Sequence, residues 1–464
     1  MSDRPNIVFL LTDDQRFDTI HALGNEEIIT PNMDRLVENG TSFTQAHIPG
    51  GTSAAVCMPS RAMINTGRTL FHICKEGQQI ADNHVTLGEI FRKSGYRTFG
   101  AGKWHNGTAS YSRSFSGGGN IFFGGMWDHW NVPLCDYDPA GKFDNIMKFT
   151  YDFFHCNHPM EVHCDHFSMG RHSTEVISET AIDFITNYNS EEPFLLYAAF
   201  LAPHDPRTMP KKFRGMYDPA KINLPENFME EHPFNYGVSE IRDELLASSP
   251  RSREEIKVHI AEYYAMITHL DHEIGRVLDA LEKSGKASNT IIVLASDNGL
   301  AVGRHGLMGK QSLYEHSIRV PLIFSGPGVP KNLKVDSYVY LLDIYPTLCE
   351  LTGIEIPESV EGHSLVPMMN NPEVCLRSSL YFAYTDLIRA VKSDRFKLIE
   401  YAGWVRKTQL FDLENDPCEL NNLFENPQYE KIVENLRKEL FIFRDEWEDE
   451  SHPLGKSFWD NYML

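Results

Sequence analysis

A chain of 464 residues in which apolar runs alternate with helical patterns predicts an α/β fold. The expected architecture is a large, mostly parallel central sheet flanked by helices, then a smaller C-terminal part with a short antiparallel sheet and a helix. Three observations carry this expectation. Strand-length apolar runs recur between helix-length stretches. Four of those runs end abruptly in polar, reactive residues. Past about residue 375 the texture changes to short β-like segments followed by one long helical run.

The first run, Asn6-Ile7-Val8-Phe9-Leu10-Leu11, is unbroken and so suits a strand buried on both faces. A helix follows over 31–39, with Thr30 as its cap and Pro31 at the first helical position, where a missing N–H costs nothing. A helix over 86–94 leads into a strand over 96–101, one over 175–187 into a strand over 194–200, and one over 254–284 into a strand over 290–295. The four strands are followed by Asp13-Asp14, by Lys103 and His105, by His204, and by Asp297-Asn298. Open α/β sheets bind ligands beyond the carboxyl ends of their strands, so four separate strands deliver chemistry to one edge. Strands over 379–384, 388–391, 396–400 and 409–413, with a helix over 428–447, make the small sheet and its cover. The chain accordingly divides into 1–372 and 373–464, with the boundary near Asn370-Asn371-Pro372.

Hydrophobic content of 42% and charged content of 23% are those of a soluble globular protein. A net charge of −21 argues against general nucleic-acid binding, which needs a basic face. It leaves an anionic substrate open, because a few convergent cations outweigh distant, screened surface acids. No run is long enough to cross a bilayer, so no membrane partner is expected. Met1-Ser2-Asp3-Arg4-Pro5 runs straight into the first strand without a secretory pattern, which points to the cytoplasm, or to a secreted or periplasmic location if this is a processed form. The 8 cysteines have no disulfide-scaffold spacing and are expected as reduced thiols.

The chemistry-bearing motifs are Thr12-Asp13-Asp14, Cys57-Met58-Pro59-Ser60-Arg61, Gly102-Lys103-Trp104-His105, Pro203-His204-Asp205-Pro206, Ser296-Asp297-Asn298-Gly299 and Gly309-Lys310. Taken singly, a lone Cys is usually a small buried hydrophobe, Asp-Asn-Gly after a strand is usually turn chemistry, and a His or Lys after a strand is more often a surface or capping residue. Asp13, Asp14, Asp297 and Asn298 offer only oxygens, which suits a hard divalent cation such as Ca²⁺. Together, in this order and over nearly the whole chain, these motifs resemble the formylglycine-dependent sulfatases. Ile64, where that family more often has Leu, is a mild departure that stays apolar.

The resemblance implies an alkaline-phosphatase-like fold, a sulfuric ester hydrolase, calcium bound by Asp13, Asp14, Asp297, Asn298 and the side chain at 57, and conversion of Cys57 to formylglycine by a maturation enzyme. The aldehyde hydrate carries two hydroxyls on one carbon: one attacks sulfur and displaces the alcohol, and deprotonation of the other expels sulfate. It assigns Arg61 and Lys103 to hold and polarise the formylglycine, His105 as base for the elimination, and His204 and Lys310 to the leaving oxygen. Asn at 298, where phosphonate monoester hydrolases and choline-sulfatase-like relatives typically carry His, favours the calcium-type sulfatase.

Substrate clues are sparser. Residues 106–172 do not read as regular scaffold, and Met126-Trp127-Asp128-His129-Trp130 offers either a sugar-binding wall or the packing of a long insertion. His155-Cys156-Asn157-His158 and His163-Cys164-Asp165-His166 invite a zinc reading, but their spacing matches no familiar finger. The expected substrate is a sulfated saccharide, glycosaminoglycan-type or another sulfated glycan. The alternatives are a small aryl or alkyl sulfate, a phosphonate or phosphodiester, or a catalytically dead binder of sulfated glycans, which would be expected to have lost part of the set.

Overall fold

A computed structural model describes residues 4–150, 152, 154 and 159–463. Eight strands build the central sheet: β1 (Asn6–Thr12), β2 (Gly40–Phe43), β3 (Arg97–Lys103), β4 (Gly117–Phe122), β5 (Phe194–Ala199), β6 (Thr290–Ser296), β7 (Leu322–Ser325) and β8 (Leu333–Val335). Their spatial order is β8-β2-β7-β6-β1-β5-β3-β4, and only β7 pairs antiparallel with its neighbours. The four strands whose ends carry reactive residues are therefore adjacent and parallel, in the order β6-β1-β5-β3, and release the chain at one edge.

The unbroken apolar run over 7–11 of β1 follows from this central place. Ile7, Phe9 and Leu11 enter the hydrophobic cluster on one face of the sheet, while Val8 and Leu10 enter the cluster on the other. Helix α1 (Pro31–Glu38) and the 31-residue α5 (Arg253–Lys283) cover the second face together with α4 (Ser173–Asn187). Helices α2 (Cys57–Thr66), α3 (Leu87–Lys93) and α6 (Ile344–Thr352) pack on the first. Each predicted helix and strand of this part is present, with ends shifted by one or two residues.

Residues 106–172 hold more scaffold than their sequence suggests. Gly117-Gly118-Gly119 is the start of edge strand β4, and the middle glycine leaves room for the Tyr111 hydroxyl. A Cβ at Gly118 would fall 2.0 Å from the Tyr111 hydroxyl oxygen. Trp127 packs 5.5 Å from Phe149, and Trp130 packs edge-on, 5.1 Å from His172. His155-Cys156-Asn157-His158 lie outside the described residues. Among the described residues, no converging set of metal-ligand atoms includes His163, Cys164 or His166.

A second sheet joins β9 (Ser379–Tyr384), β10 (Ile388–Ser393), β11 (Phe396–Tyr401) and β12 (Lys407–Asp412) in an antiparallel meander, extended at the β9 edge by Gly50–Gly51. Helices α7 (Glu430–Glu446) and α8 (Pro453–Met463) follow it. The first-face cluster runs without interruption from Phe9 into Leu380, Phe382 and Val391 of this sheet.

Asp449, in the turn between α7 and α8, ties the last helix down. Its carboxylate accepts from Arg389 Nε (2.6 Å) and Nη2 (2.9 Å), the Tyr381 hydroxyl (2.6 Å) and Trp459 Nε1 (2.8 Å), all buried. Asp449→Ala would strand Arg389 without a counter-charge. We expect a loss of about 3–5 kcal/mol of stability, read as a lower denaturation midpoint in urea.

Candidate active site

Four strand ends, one helix start and the loop that carries Lys310 supply the site. After β1 the chain turns sharply at Asp14, whose φ of 67° is left-handed, and Asp13 and Asp14 bring their carboxylate oxygens within 4.8 Å of each other. Helix α2 opens at Cys57 and carries Arg61 one turn further on the same face, which places the guanidinium below the cysteine. Lys103 ends β3, and His105 (φ 70°) turns its ring back toward Cys57.

The resulting contacts are dense. Lys103 Nζ and His105 Nδ1 each lie 3.5 Å from Cys57 Sγ, the unmodified thiol. Lys103 also pairs with Asp13. Arg61 Nε donates to Asp297 (2.7 Å), its Nη1 donates to the Lys103 carbonyl (2.6 Å), and its Nη2 sits 3.6 Å from Asp13. Lys310 Nζ and Asn298 Nδ2 both donate to Asp14 Oδ1 at 2.6 Å, and His204 Nε2 is 3.7 Å from Asp14 Oδ2. All ten residues singled out from the sequence, Asp13, Asp14, Cys57, Arg61, Lys103, His105, His204, Asp297, Asn298 and Lys310, thus meet in one place.

Burial sharpens their electrostatics. Desolvation would raise Asp13, but Lys103, Arg61, His204 and Lys310 outweigh it and hold the carboxyl well below its ordinary range. Asp297 goes the other way, to about 6, because burial and the Asp13 charge outweigh Arg61 and Lys103. Burial pushes the Cys57 thiol up against the pull of Lys103 and Lys310. Burial, with Lys103 and Arg61, holds His105 far below the ordinary histidine value, so its ring is neutral.

The donor set fits a hard divalent cation. Asp13 Oδ1 and Asn298 Oδ1 are buried oxygens with no hydrogen-bond partner, a costly state that a cation would relieve. Asp13, Cys57 and Asp297 offer ligand atoms within 4.8 Å of one another, as do Asp13, Asp14 and His204. Oxygen donors of this kind suit Ca²⁺ or Mg²⁺.

Cys57, His105, His204 and Lys310 line a cavity of about 270 Å³ whose walls include Met126, Arg242, Asp243 and Gln311. Nothing in the sequence marks Arg242 and Asp243 as part of the site. They reach the rim because Arg242 makes a bidentate pair with Asp205, the neighbour of His204, and Gln311 Nε2 donates to Asp243 (2.7 Å). Neither tryptophan of the 126–130 segment lines the cavity; Met126 does. Asn106, formally a glycosylation sequon, is buried, and its amide binds the Met58 and Gly77 carbonyls behind α2.

Comparison with known proteins agrees with this geometry. The profile described as Sulfatase matches residues 5–354, and that of the N-sulphoglucosamine sulphohydrolase C-terminal region matches residues 303–446. A sulfatase of Formosa agariphila is 30% identical, over 97% of this chain and 89% of its own. An arylsulfatase of Clostridium perfringens is 30% identical, over 99% and 98%. An N-acetylglucosamine-6-O-sulfatase of Bacteroides thetaiotaomicron is 25% identical, over 96% and 87%. Among solved structures, one in complex with its substrate D-glucosamine-2-N,6-O-disulfate shares the fold at a TM-score of 0.74, with 24% identity over 97% of this chain and 99% of its own. The phosphonate monoester hydrolase of Agrobacterium radiobacter shares it at 0.74, with 20% identity over 96% of each chain. With the family profile spanning three quarters of the sequence and full-length relatives at 30% identity, the chain belongs to the sulfatase family and is a sulfuric ester hydrolase.

Proposed function

We propose that the protein hydrolyses a sulfate monoester on a saccharide, with residue 57 converted to formylglycine and Ca²⁺ held by Asp13, Asp14, Asp297 and Asn298 beside it. The observation that carries this reading is the convergence of Cys57, a buried cluster of carboxylate and amide oxygens and three buried cations, with Cys57 and Lys310 of that set lining the cavity. The saccharide is supported by relatives named for N-acetylglucosamine-6-O-sulfate and for ulvan, the latter 28% identical, and by a cavity large enough for one sugar ring.

When bound, the aldehyde hydrate supplies the nucleophilic oxygen and the cation supplies charge that favours its ionised form and offsets that of the sulfate. The chain's own residues do the rest. Arg61 locks Asp297 and the Lys103 carbonyl in place, and Lys103 presents its ammonium to the side chain at 57. His105 is neutral and 3.5 Å from Sγ, placed to take a proton from residue 57 and release sulfate. Lys310 and His204 face the cavity where the alcohol departs, Lys310 stabilising the developing charge and His204 giving it a proton.

Tyr263 supports the cation loop from α5. Its hydroxyl donates to the Asp14 carbonyl (2.6 Å) and accepts from Arg16 N–H (2.9 Å), clamping the left-handed turn from both sides. Tyr263→Phe removes both bonds and little volume. We expect the calcium concentration for half-saturation to rise about tenfold, as the loss of one to two hydrogen bonds would give.

The test is sulfate release from a panel of defined sulfated mono- and disaccharides by protein produced with a maturation enzyme, alongside nitrophenyl sulfate and a phosphodiester. Calcium-dependent release from a saccharide supports the proposal. Intact saccharides with the aldehyde confirmed by mass spectrometry would remove the carbohydrate part and leave the aryl or alkyl sulfates.

A further inference from the structure

His129 lies outside the cavity, is 1% exposed, and plays no part in the mechanism above. Its ring stacks on that of His172 with centroids 4.9 Å apart and planes within 2°. Both imidazoles face the segment that carries His204. His129 Nε2 is 2.9 Å from the His204 carbonyl oxygen, and His172 Nε2 is 3.0 Å from that of Thr208. A carbonyl only accepts, so both Nε2 atoms carry protons. The opposite nitrogens then have bare lone pairs: His129 Nδ1 accepts from the Ser173 hydroxyl (2.7 Å), and His172 Nδ1 accepts from Thr174 N–H (3.2 Å). Burial is the largest influence on both rings and lowers His129 to about 4 and His172 to about 2, so each stays a neutral, single-tautomer donor at working pH. Two parallel rings grip the His204 segment at two carbonyls four residues apart.

The held carbonyl belongs to the residue whose ring faces the cavity. His204 Nδ1 is 2.8 Å from the Asp205 carbonyl oxygen, so the nitrogen free to serve the departing alcohol is Nε2, on the Asp14 side. Freeing the His204 carbonyl would let that peptide rotate and carry Nε2 away from the leaving oxygen, and a displacement of about 1 Å is enough to cost a positioned proton donor much of its effect. The backbone of His129 is fixed independently, since its carbonyl accepts Ser173 N–H at 2.8 Å.

We propose that His129, held in its donor tautomer by Ser173, is a positioning residue that aims His204 at the leaving oxygen. The inference rests on the reading of His204 as the group that protonates the departing alcohol. It also gives the 106–172 insertion a mechanistic task besides lining the cavity with Met126.

The experiment compares two substrates on the same matured, calcium-loaded enzyme: nitrophenyl sulfate, whose phenolate departs without help, and a sugar sulfate, whose alkoxide needs a proton. His204→Ala is the reference and should lose roughly 100-fold or more in kcat on the sugar sulfate while losing only about threefold on nitrophenyl sulfate. His129→Leu should show the same imbalance at roughly tenfold or more, and His129→Gln, whose amide can still donate, should recover part of it. Ser173→Ala, which leaves the backbone bond intact, should shift the tautomer and give a smaller loss with the same imbalance, so the proposal stays testable if His129→Leu does not fold. Equal losses on both substrates in His129→Leu or in Ser173→Ala, with the imbalance intact in His204→Ala, would overturn the inference alone. If His204→Ala itself slows both substrates equally, the role of His204 is wrong and the inference falls with it.

Discussion

With residue 57 supplying the nucleophile as proposed, Cys57→Ala should abolish sulfate release, with kcat down roughly 10⁴-fold or more, because the side chain it removes lines the cavity, with Lys103 Nζ and His105 Nδ1 each 3.5 Å from its Sγ. The protein itself should fold normally. The cysteine side chain is small, its neighbours are polar, and its removal leaves the Arg61–Asp297 pair and the α2 packing in place. Wild-type protein that retains a thiol at 57 should be as inactive as the variant, and intact-protein mass spectrometry separates the two forms. Retention of more than a few per cent of activity in the alanine variant would place the nucleophile elsewhere.

Removing Asp297 strikes two systems at once, and two substitutions separate them. Asp297→Ala deletes an oxygen of the proposed cation site and leaves Arg61, 0% exposed, with Asp13 at 3.6 Å and the Lys103 carbonyl. The expected result is loss of calcium binding, a fall in kcat of about 10³-fold or more, and about 3–5 kcal/mol less stability from the stranded guanidinium. Asp297→Asn keeps the shape and a hydrogen-bond acceptor for Arg61, so it should recover much of the stability and little of the activity. Thermal unfolding with and without calcium is the readout. The wild type should gain stability on adding calcium, since the ion relieves two carboxylates that repel each other in a dry site, whereas neither variant should. An Asp297→Ala protein that still binds calcium with wild-type affinity would remove residue 297 from the cation site.

The central strands and long helices were legible in the sequence because each has one dominant signal. The β1 strand is apolar at every position from 7 to 11 for want of a solvent face, and α5 has an acidic first turn after the Ser252 cap, whose hydroxyl accepts from Glu255 N–H, with Lys283 at its end. Other parts lacked such signals. Helix α2 begins at Cys57 with Pro59 in its first turn, where proline is tolerated but reads as a breaker. Edge strand β4 begins with three glycines, which taken locally mark a loop; the middle one, Gly118, is there for the close approach of the Tyr111 hydroxyl, a contact set by the packing of Tyr111 on the sheet and not by any local pattern.

The sequence by itself determined the chemistry available. Strand ends carrying Asp13-Asp14, Lys103, His204 and Asp297-Asn298 had to share one edge once their strands were parallel, and the cysteine motif named the family. Only the tertiary structure decided what surrounds and aims those groups: that Arg242 and Asp243 form the rim, that the tryptophans near 130 pack on Phe149 and His172 while Met126 lines the cavity, and that His129 holds the His204 peptide while Tyr263 clamps Asp14. The physical reason is range. Strand and helix patterns arise from neighbours in the chain, whereas a hydrogen bond from His129 to His204 or from Tyr263 to Asp14 joins residues 75 and 249 positions apart and exists only once the sheet has brought its strand ends together.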